Sequence, residues 1–127
     1  MFYCNKCKQF YPEDSNQWSC DCGAPFSYIP SVSSHFPRNK IKVRNQTIWR
    51  YQEALPMENK EEIISLGEGL TPLISTSFEG QKILFKLDFI FPTGSYKDRG
   101  TSFFISKLKE HKIKKVVEDS SGNAGAS

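Results

Sequence analysis

The fold turns on the stretch KILFKLDFIFPTGSYKDRGTSFFISKLKEHKIKKVVED, Lys82 to Asp119. Ile83, Phe85, Leu87 and Phe89 alternate at period two in a run rich in β-formers, which predicts a strand over Lys82–Phe89. PTGS, Pro92 to Ser95, then supplies a turn. YKDRGTSFFISKLKEHK reads as a helix, with Phe104 and Leu108 at i, i+4 among Phe103, Ile105 and Ser106. KKVVEDSSG follows as a short strand running into glycine. Strand, helix, strand at these lengths predicts a βαβ unit with a right-handed crossover. The expected class is therefore α/β, a partial three-layer sheet.

The segments on either side have different characters. Residues 1–30 hold all four cysteines and show little periodicity. Residues 31–66 form a polar connection followed by a short amphipathic run, TIWRYQEALP, which Pro56 ends. Residues 67–127 carry the βαβ pattern and finish on SSGNAGAS, which reads as a turn from a strand into a following helix. Two strands and one crossover do not cover both faces of a parallel sheet. The expected organisation is thus a zinc-ribbon-like segment (1–30), a linker with a short helix (31–66) and the start of a larger catalytic domain (67–127). The expectation is an N-terminal piece of a longer α/β protein, the alternative a separately stable small domain that finishes on a disordered tail.

Composition narrows the function. The hydrophobic fraction of 38% is enough for a core, and the net charge of +3 lacks the clustered basic footprint of a nucleic-acid binder. Lys107, Lys109, Lys112, Lys114 and Lys115 straddle an expected helix end, where cations are the ordinary solvated choice. No apolar run is long enough to span a bilayer, and MFYCNKCKQF lacks the pattern of a signal peptide. The expected compartment is the cytoplasm, where stable disulfides are rare.

That setting gives weight to Cys4-x2-Cys7, twelve residues, then Cys20-x-Cys22-Gly23. Two close pairs of thiolates on tight turns can present four sulfurs to one tetrahedral ion, with zinc the first expectation and iron admissible. The single-residue spacing of the second pair is unusual, and two disulfides or free thiols remain the alternative. A closed four-sulfur site leaves no open position for substrate, so its role would be structural, stapling a segment too short for its own core. Trp18, Phe10 and Tyr11 are expected to pack against it. His35 and His111 stand alone in polar surroundings and read as surface residues.

Lys97 sits where the helix dipole disfavours a cation. Such a place favours the free amine, the form that attacks a carbonyl to make a Schiff base. Gly94 lets backbone approach a ligand closely, and Asp98 stands where the dipole favours an anion. The bland alternative is a lysine snorkelling into solvent. Ser120, Ser121, Gly122, Asn123 and Ala124 lie beyond the carboxyl end of the second expected strand, where open α/β sheets place ligands. Small residues, hydroxyls, an amide and free N–H groups would there receive an anion; the alternative is an ordinary capped turn. Arg99 could reach a substrate phosphate or simply lie on the helix surface. Glu68, between two glycines, carries no assigned chemistry.

LGEGLTPL (Leu66–Leu73), FKLDFIFPTGSYKDRG and EDSSGNAGAS together closely resemble the threonine synthase family, pyridoxal-phosphate enzymes with the tryptophan-synthase-β-like fold. The resemblance extends to IWRYQEALP, and some members of that family carry a cysteine-rich front end. Asp88 stands where relatives often have Glu, Tyr96 where Phe is frequent, and Leu70 where Gly is frequent.

The resemblance implies that Lys97 holds pyridoxal phosphate as a Schiff base and later moves protons. It implies that Asn123 bonds the cofactor's 3-oxygen, and that Ser120, Ser121 and the backbone of Gly122 to Ala124 hold the substrate's carboxylate. The implied reaction converts O-phosphohomoserine and water to threonine and phosphate. The loop for the cofactor phosphate lies further along in the family, so this piece alone is expected to be inactive. A threonine dehydratase, a cysteate synthase or a non-catalytic metal-stapled binding module are the other readings. An open strand edge also predicts pairing with a second copy.

Overall fold

A computed structural model of the chain describes residues 1–15, 17–30 and 37–127. The polar connection over 31–36, with His35, lies outside them. The chain divides into two units, Met1–Phe36 with Glu53–Pro56, and Pro37–Gln52 with Met57–Ser127.

In the first unit three short strands pair antiparallel in the order β2-β1-β3: β1 (Phe2–Cys4), β2 (Phe10–Tyr11) and β3 (Phe26–Tyr28). The register sets Phe2 opposite both Tyr11 and Tyr28, and Cys4 opposite Phe26. Aromatic rings supply most of what packs this sheet. Phe2 stacks on Phe26 at 5.5 Å and Tyr11 tilts against Phe26 at 4.7 Å. Tyr3 meets Phe10 at 4.8 Å. Trp18, expected to pack here, is instead 90% exposed.

The second unit contains α1 (Arg38–Lys42), all but the last two residues of a 3-10 helix over Ile48–Ala54 kinked at Tyr51, and a hairpin of β4 (Leu73–Phe78) with β5 (Gln81–Lys86). Then come α2 (Lys97–Glu110) and the single turn α3 (Asn123–Ala126). Glu79 and Gly80 both have positive φ, 49° and 76°, the two-residue turn whose twist matches an antiparallel hairpin.

This corrects the expected βαβ unit. The first strand forms but ends at Lys86, because Asp88–Ile90 coil into a 3-10 turn. Its partner is β4, antiparallel, rather than the segment after α2. Residues 114–119 make no strand among the described residues, and Val117 is 97% exposed. A strand needs a neighbour for its N–H and C=O groups, and this segment has none. The mixed α/β class stands; the parallel, three-layered sheet is not formed.

The packed face of α2 also differs from expectation. Phe104 is 53% exposed, while Asp98, Ser102 and Ser106 are buried at i, i+4, i+8. Small residues let the main chain of Ile64 lie directly on the helix. The Ser106 hydroxyl accepts from Ile64 N at 2.9 Å, and the Ser102 hydroxyl donates to Ile64 O at 2.8 Å. The Trp49 indole N–H in turn donates to Ser102 Oγ at 2.9 Å. Every polar group in this stripe therefore has a partner, as burial demands. At the other end of α2, Glu110 accepts from Glu58 N and Asn59 N at 2.9 and 2.6 Å. Lys107 pairs with Glu110, and Lys109 with Glu62. Among the described residues no helix is long and apolar enough to cross a membrane.

Candidate functional site

The turn before α2 is built by hydrogen bonds that fix where the helix starts. Gly94, at φ 76°, donates its N–H to Phe91 O at 2.8 Å and closes a tight turn. A side chain there would meet only Phe89 O at 3.8 Å, so it is the backbone angle that calls for glycine. Asp98, 5% exposed, reaches back to accept from Thr93 N at 2.9 Å and from the Thr93 hydroxyl. It also accepts from Ser127 Oγ at 2.6 Å. Burial pushes the Asp98 carboxyl up, but the bonds from Ser127 and Thr93 outweigh burial and hold it below its ordinary value. The anion expected at the helix start is thus the clasp of the turn.

Lys97 is the first residue of α2 and is exposed. Its N–H donates to the buried Ser95 Oγ at 3.2 Å, and its ammonium lies 5.3 Å from the centre of the Tyr96 ring. Arg99 is tied down elsewhere. Its guanidinium pairs with Asp88 at 2.9 and 3.3 Å, donates to Thr71 Oγ1 at 3.2 Å and covers the Phe91 ring at 4.6 Å. The hydrogen bond from Arg99 is the main reason the Asp88 carboxyl lies below its ordinary value. Thr71 also donates to Asp88 at 2.5 Å, which joins the GEGLTP turn to the helix start.

Asn123 begins α3, and Ser121, Gly122, Asn123 and Ala124 are all exposed. A side chain added at Gly122 would meet nothing, so the turn is open on that side. Ser120 Oγ accepts from Gly122 N at 3.2 Å, and α3 packs on α2 through Ser127 and Asp98. The predicted residues thus stand at the starts of α2 and α3, two helices that meet through Asp98 and Ser127, the residue that ends α3. An exposed amine, amide and hydroxyl are a donor set that fits an aldehyde cofactor bearing an oxyanion and a substrate bearing a carboxylate. A cavity of about 140 Å³ is lined by Leu66, Glu68, Thr93, Asp98, Ser102 and Ser127 among others, and by neither Lys97 nor the Ser120–Ala124 turn.

Glu68 was given no chemistry from sequence, yet it is 1% exposed. It accepts from Ser65 Oγ at 3.0 Å and Leu66 N at 2.8 Å, while its own carbonyl accepts from Ile48 N at 2.8 Å. The flanking glycines were the available signal. Gly69 has φ 144°, and a Cβ there would come within 2.6 Å of the Thr47 backbone.

In the first unit the sulfurs of Cys4, Cys7, Cys20 and Cys22 all lie within 4.8 Å of one another. The cysteines are free, with Cys4 and Cys22 at 3.5 Å and Cys7 and Cys20 at 3.3 Å. A tetrahedral ion with bonds of about 2.3 Å holds its sulfurs about 3.8 Å apart, so the cluster has the right size for one. Both pairs sit on turns that close with a left-handed residue, Lys8 at φ 66° and Gly23 at φ 78°. Lys8 N bonds Cys4 O, four residues back, whereas Gly23 N bonds Cys20 O, only three back. The second turn is one residue shorter, which accounts for its single-residue spacing. The N–H of Cys7 is the largest influence bringing Cys4 down to about 6, and the Tyr11 hydroxyl lowers Cys20. Hydrogen bonding to the Gln9 backbone pulls Cys7 down, but the neighbouring sulfurs, Cys20 first, push it up to about 12.

The sequence was compared with known proteins. Residues 64–127 match the family of pyridoxal-phosphate dependent enzymes. A threonine synthase of Methanocaldococcus jannaschii is 31% identical over 98% of this chain and 33% of its own length. One from Synechocystis is 35% identical over 77% of this chain and 27% of its own. One from Halalkalibacterium halodurans is 40% identical over 60% and 23%. The chain therefore spans about a third or less of the length of these curated relatives. No solved structure matches it. The matched span contains both helix starts and the turns before them, and the chain belongs to the pyridoxal-phosphate-dependent enzymes.

Proposed function

We propose that the chain is the N-terminal part of a threonine synthase, a pyridoxal-phosphate-dependent lyase converting O-phosphohomoserine and water to threonine and phosphate. The observation that carries this reading is the Lys97 turn and the Ser120–Ala124 turn, each opening a helix, inside the span matched to the family. That three threonine synthases are similar to this chain favours the particular reaction.

In this reading Lys97 would hold the cofactor through Nζ and would take up and return protons at the substrate carbons. The cofactor supplies an electron sink for those carbons. Asn123 would help hold the cofactor by donating from its side-chain amide. Ser120, Ser121 and the N–H groups of Gly122 to Ala124 bind the substrate carboxylate, aided by the open side of the turn. Thr93 and Asp98 keep Lys97 in place, and Arg99 is a positioning residue held by Asp88 rather than a phosphate ligand. The cofactor's phosphate and ring nitrogen would be held by the part of a longer chain that aligns beyond residue 127. The 127-residue chain alone is accordingly expected to be inactive.

The reading also takes residues 1–30 as a zinc-stapled module through Cys4, Cys7, Cys20 and Cys22, followed by a linker and then the catalytic domain from residue 67. It places the protein in the cytoplasm with a small-molecule substrate. Association of copies through the open hairpin edge is part of it, and a monomeric sedimentation profile at high concentration would count against that part.

The test uses the full-length protein bearing this sequence. It should show the visible absorbance of lysine-bound pyridoxal phosphate, lost in Lys97→Ala, and release threonine and phosphate from O-phosphohomoserine. Absorbance without threonine formation would leave the family and remove the reaction. Absence of absorbance in the intact protein would remove the catalytic reading.

A further inference from the structure

We propose that Tyr11 is an outer-shell ligand of the cysteine site, its phenol donating a hydrogen bond to the metal-bound Cys20 sulfur and thereby strengthening the site. This rests on the reading of the four cysteines as a metal site. Tyr11 lies on β2, outside both cysteine turns, yet its hydroxyl is 3.1 Å from Cys20 Sγ. That is well inside hydrogen-bond range for sulfur, whose acceptor distances run longer than those of oxygen.

The hydroxyl is also placed from other directions. Asp21 N donates to it at 3.3 Å, so a lone pair is taken and its single proton must go elsewhere. Cys20 Sγ, Gln9 Oε1 at 3.0 Å and Asp21 Oδ2 at 3.2 Å are the acceptors within reach. Gln17 holds the other Asp21 oxygen at 2.8 Å. The ring is fixed against Phe26 at 4.7 Å. Because Cys20 is 2% exposed, water cannot readily replace the phenol as a donor to its sulfur.

The other sulfurs differ. Cys4 Sγ accepts from Cys7 N at 3.4 Å, a bond supplied by its own turn. Cys20, the other buried sulfur, has a donor of its own turn in the Cys22 backbone and takes a second, the phenol, from β2. Charge on a metal-bound thiolate is stabilised by such donors, and loss of an outer-shell partner typically weakens metal binding about 10- to 100-fold. Tyr11 also joins β2 to the second cysteine turn, so loading the metal should tighten the sheet itself.

The experiment measures zinc affinity of the 127-residue chain by chelator competition, and the cobalt(II)–thiolate absorption, for wild type, Tyr11→Phe and Cys20→Ser. Tyr11→Phe keeps the ring on Phe26 and removes only the hydroxyl. The expected result is one metal per wild-type chain, about 10- to 100-fold weaker binding in Tyr11→Phe with a displaced cobalt–thiolate band, and a lost four-sulfur spectrum in Cys20→Ser. Tyr11→Phe binding within twofold of wild type, with an unmoved band, would overturn the role of Tyr11 while leaving the metal site. Wild type that binds neither metal would overturn the metal reading, and Tyr11's role with it. Should Tyr11→Phe fail to fold, exchange of the Tyr11 hydroxyl proton in the zinc-loaded wild type decides the matter. Slow exchange supports the bond, and exchange as fast as in free tyrosine overturns it.

Discussion

Replacing Asp98 tests whether the turn before α2 is held as described. Its carboxylate accepts three hydrogen bonds, from Thr93 N, the Thr93 hydroxyl and Ser127 Oγ. Hydrogen bonds to a charged group contribute about 1.5–3 kcal/mol each, but Thr93 and Ser127 are half-buried and regain some water, so Asp98→Ala should cost about 2–4 kcal/mol in all. Asp98→Asn separates charge from shape. Its oxygen can still accept from Thr93 N while its NH2 donates to the two hydroxyls, which rotate to receive it, so the cost should be about 1 kcal/mol. The assay is urea unfolding in a Trp18→Phe background, where buried Trp49 is the fluorescent reporter of the second unit. The pH dependence has a definite sign. Because Asp98's folded value lies below its unfolded one, its contribution is fully present above about pH 4–5 and disappears as pH falls through the folded value. The gap between wild type and Asp98→Asn should therefore be flat from about pH 5 to 8 and shrink in acid. A loss under about 0.5 kcal/mol in Asp98→Ala, or a gap that persists unchanged in strong acid, would refute the clasp.

Gly69→Ala should destabilise the second unit by at least about 2 kcal/mol, since the new Cβ meets Thr47 and Ile48 backbone at a left-handed angle; thermal melts read it. Ser106→Ala leaves the Ile64 N–H without its partner and should cost about 1–3 kcal/mol, whereas Phe104→Ala, on the exposed side of α2, should cost less than about 1. A double-mutant cycle between Asp88→Ala and Arg99→Ala should show coupling of about 1 kcal/mol, modest because both side chains are partly exposed. Coupling near zero would return Arg99 to the role of a free surface cation.

The parts of this structure visible in sequence are those where chemistry or backbone restricts the choice of residue. Four cysteines in two pairs, a glycine at the turn before Lys97 and a small polar run ending in Asn123 could each be read without neighbours. Strand pairing could not. The two-residue turn at Glu79–Gly80 joins β4 to β5, but glutamate is not the usual residue for a left-handed first position, and the signal passed unread. Residues 114–119 have the composition of a strand, but pairing depends on a neighbour that local composition does not specify. The buried stripe of α2 was hidden for a different reason. Hydrophobic periodicity finds apolar faces, and Asp98, Ser102 and Ser106 form a polar one that is buried only because Ile64, Trp49, Thr93 and Ser127 satisfy it.

That polar stripe explains how an exposed lysine can still be held in position. Consecutive residues of an α-helix point about 100° apart, so whatever fixes Asp98 inward also fixes the direction of Lys97. An apolar face would tolerate small rotations and slips of the helix, because dispersion contacts are non-directional. Hydroxyl and carboxylate contacts do not, since each has a preferred angle and distance. Asp98, Ser102 and Ser106 set the rotation of α2 at three successive turns, and Ser95 and Thr93 set its first residue. The Lys97 side chain is thereby left exposed, with its ammonium over the Tyr96 ring, while the helix that carries it has one orientation, an arrangement that suits the carbonyl-binding role proposed for it.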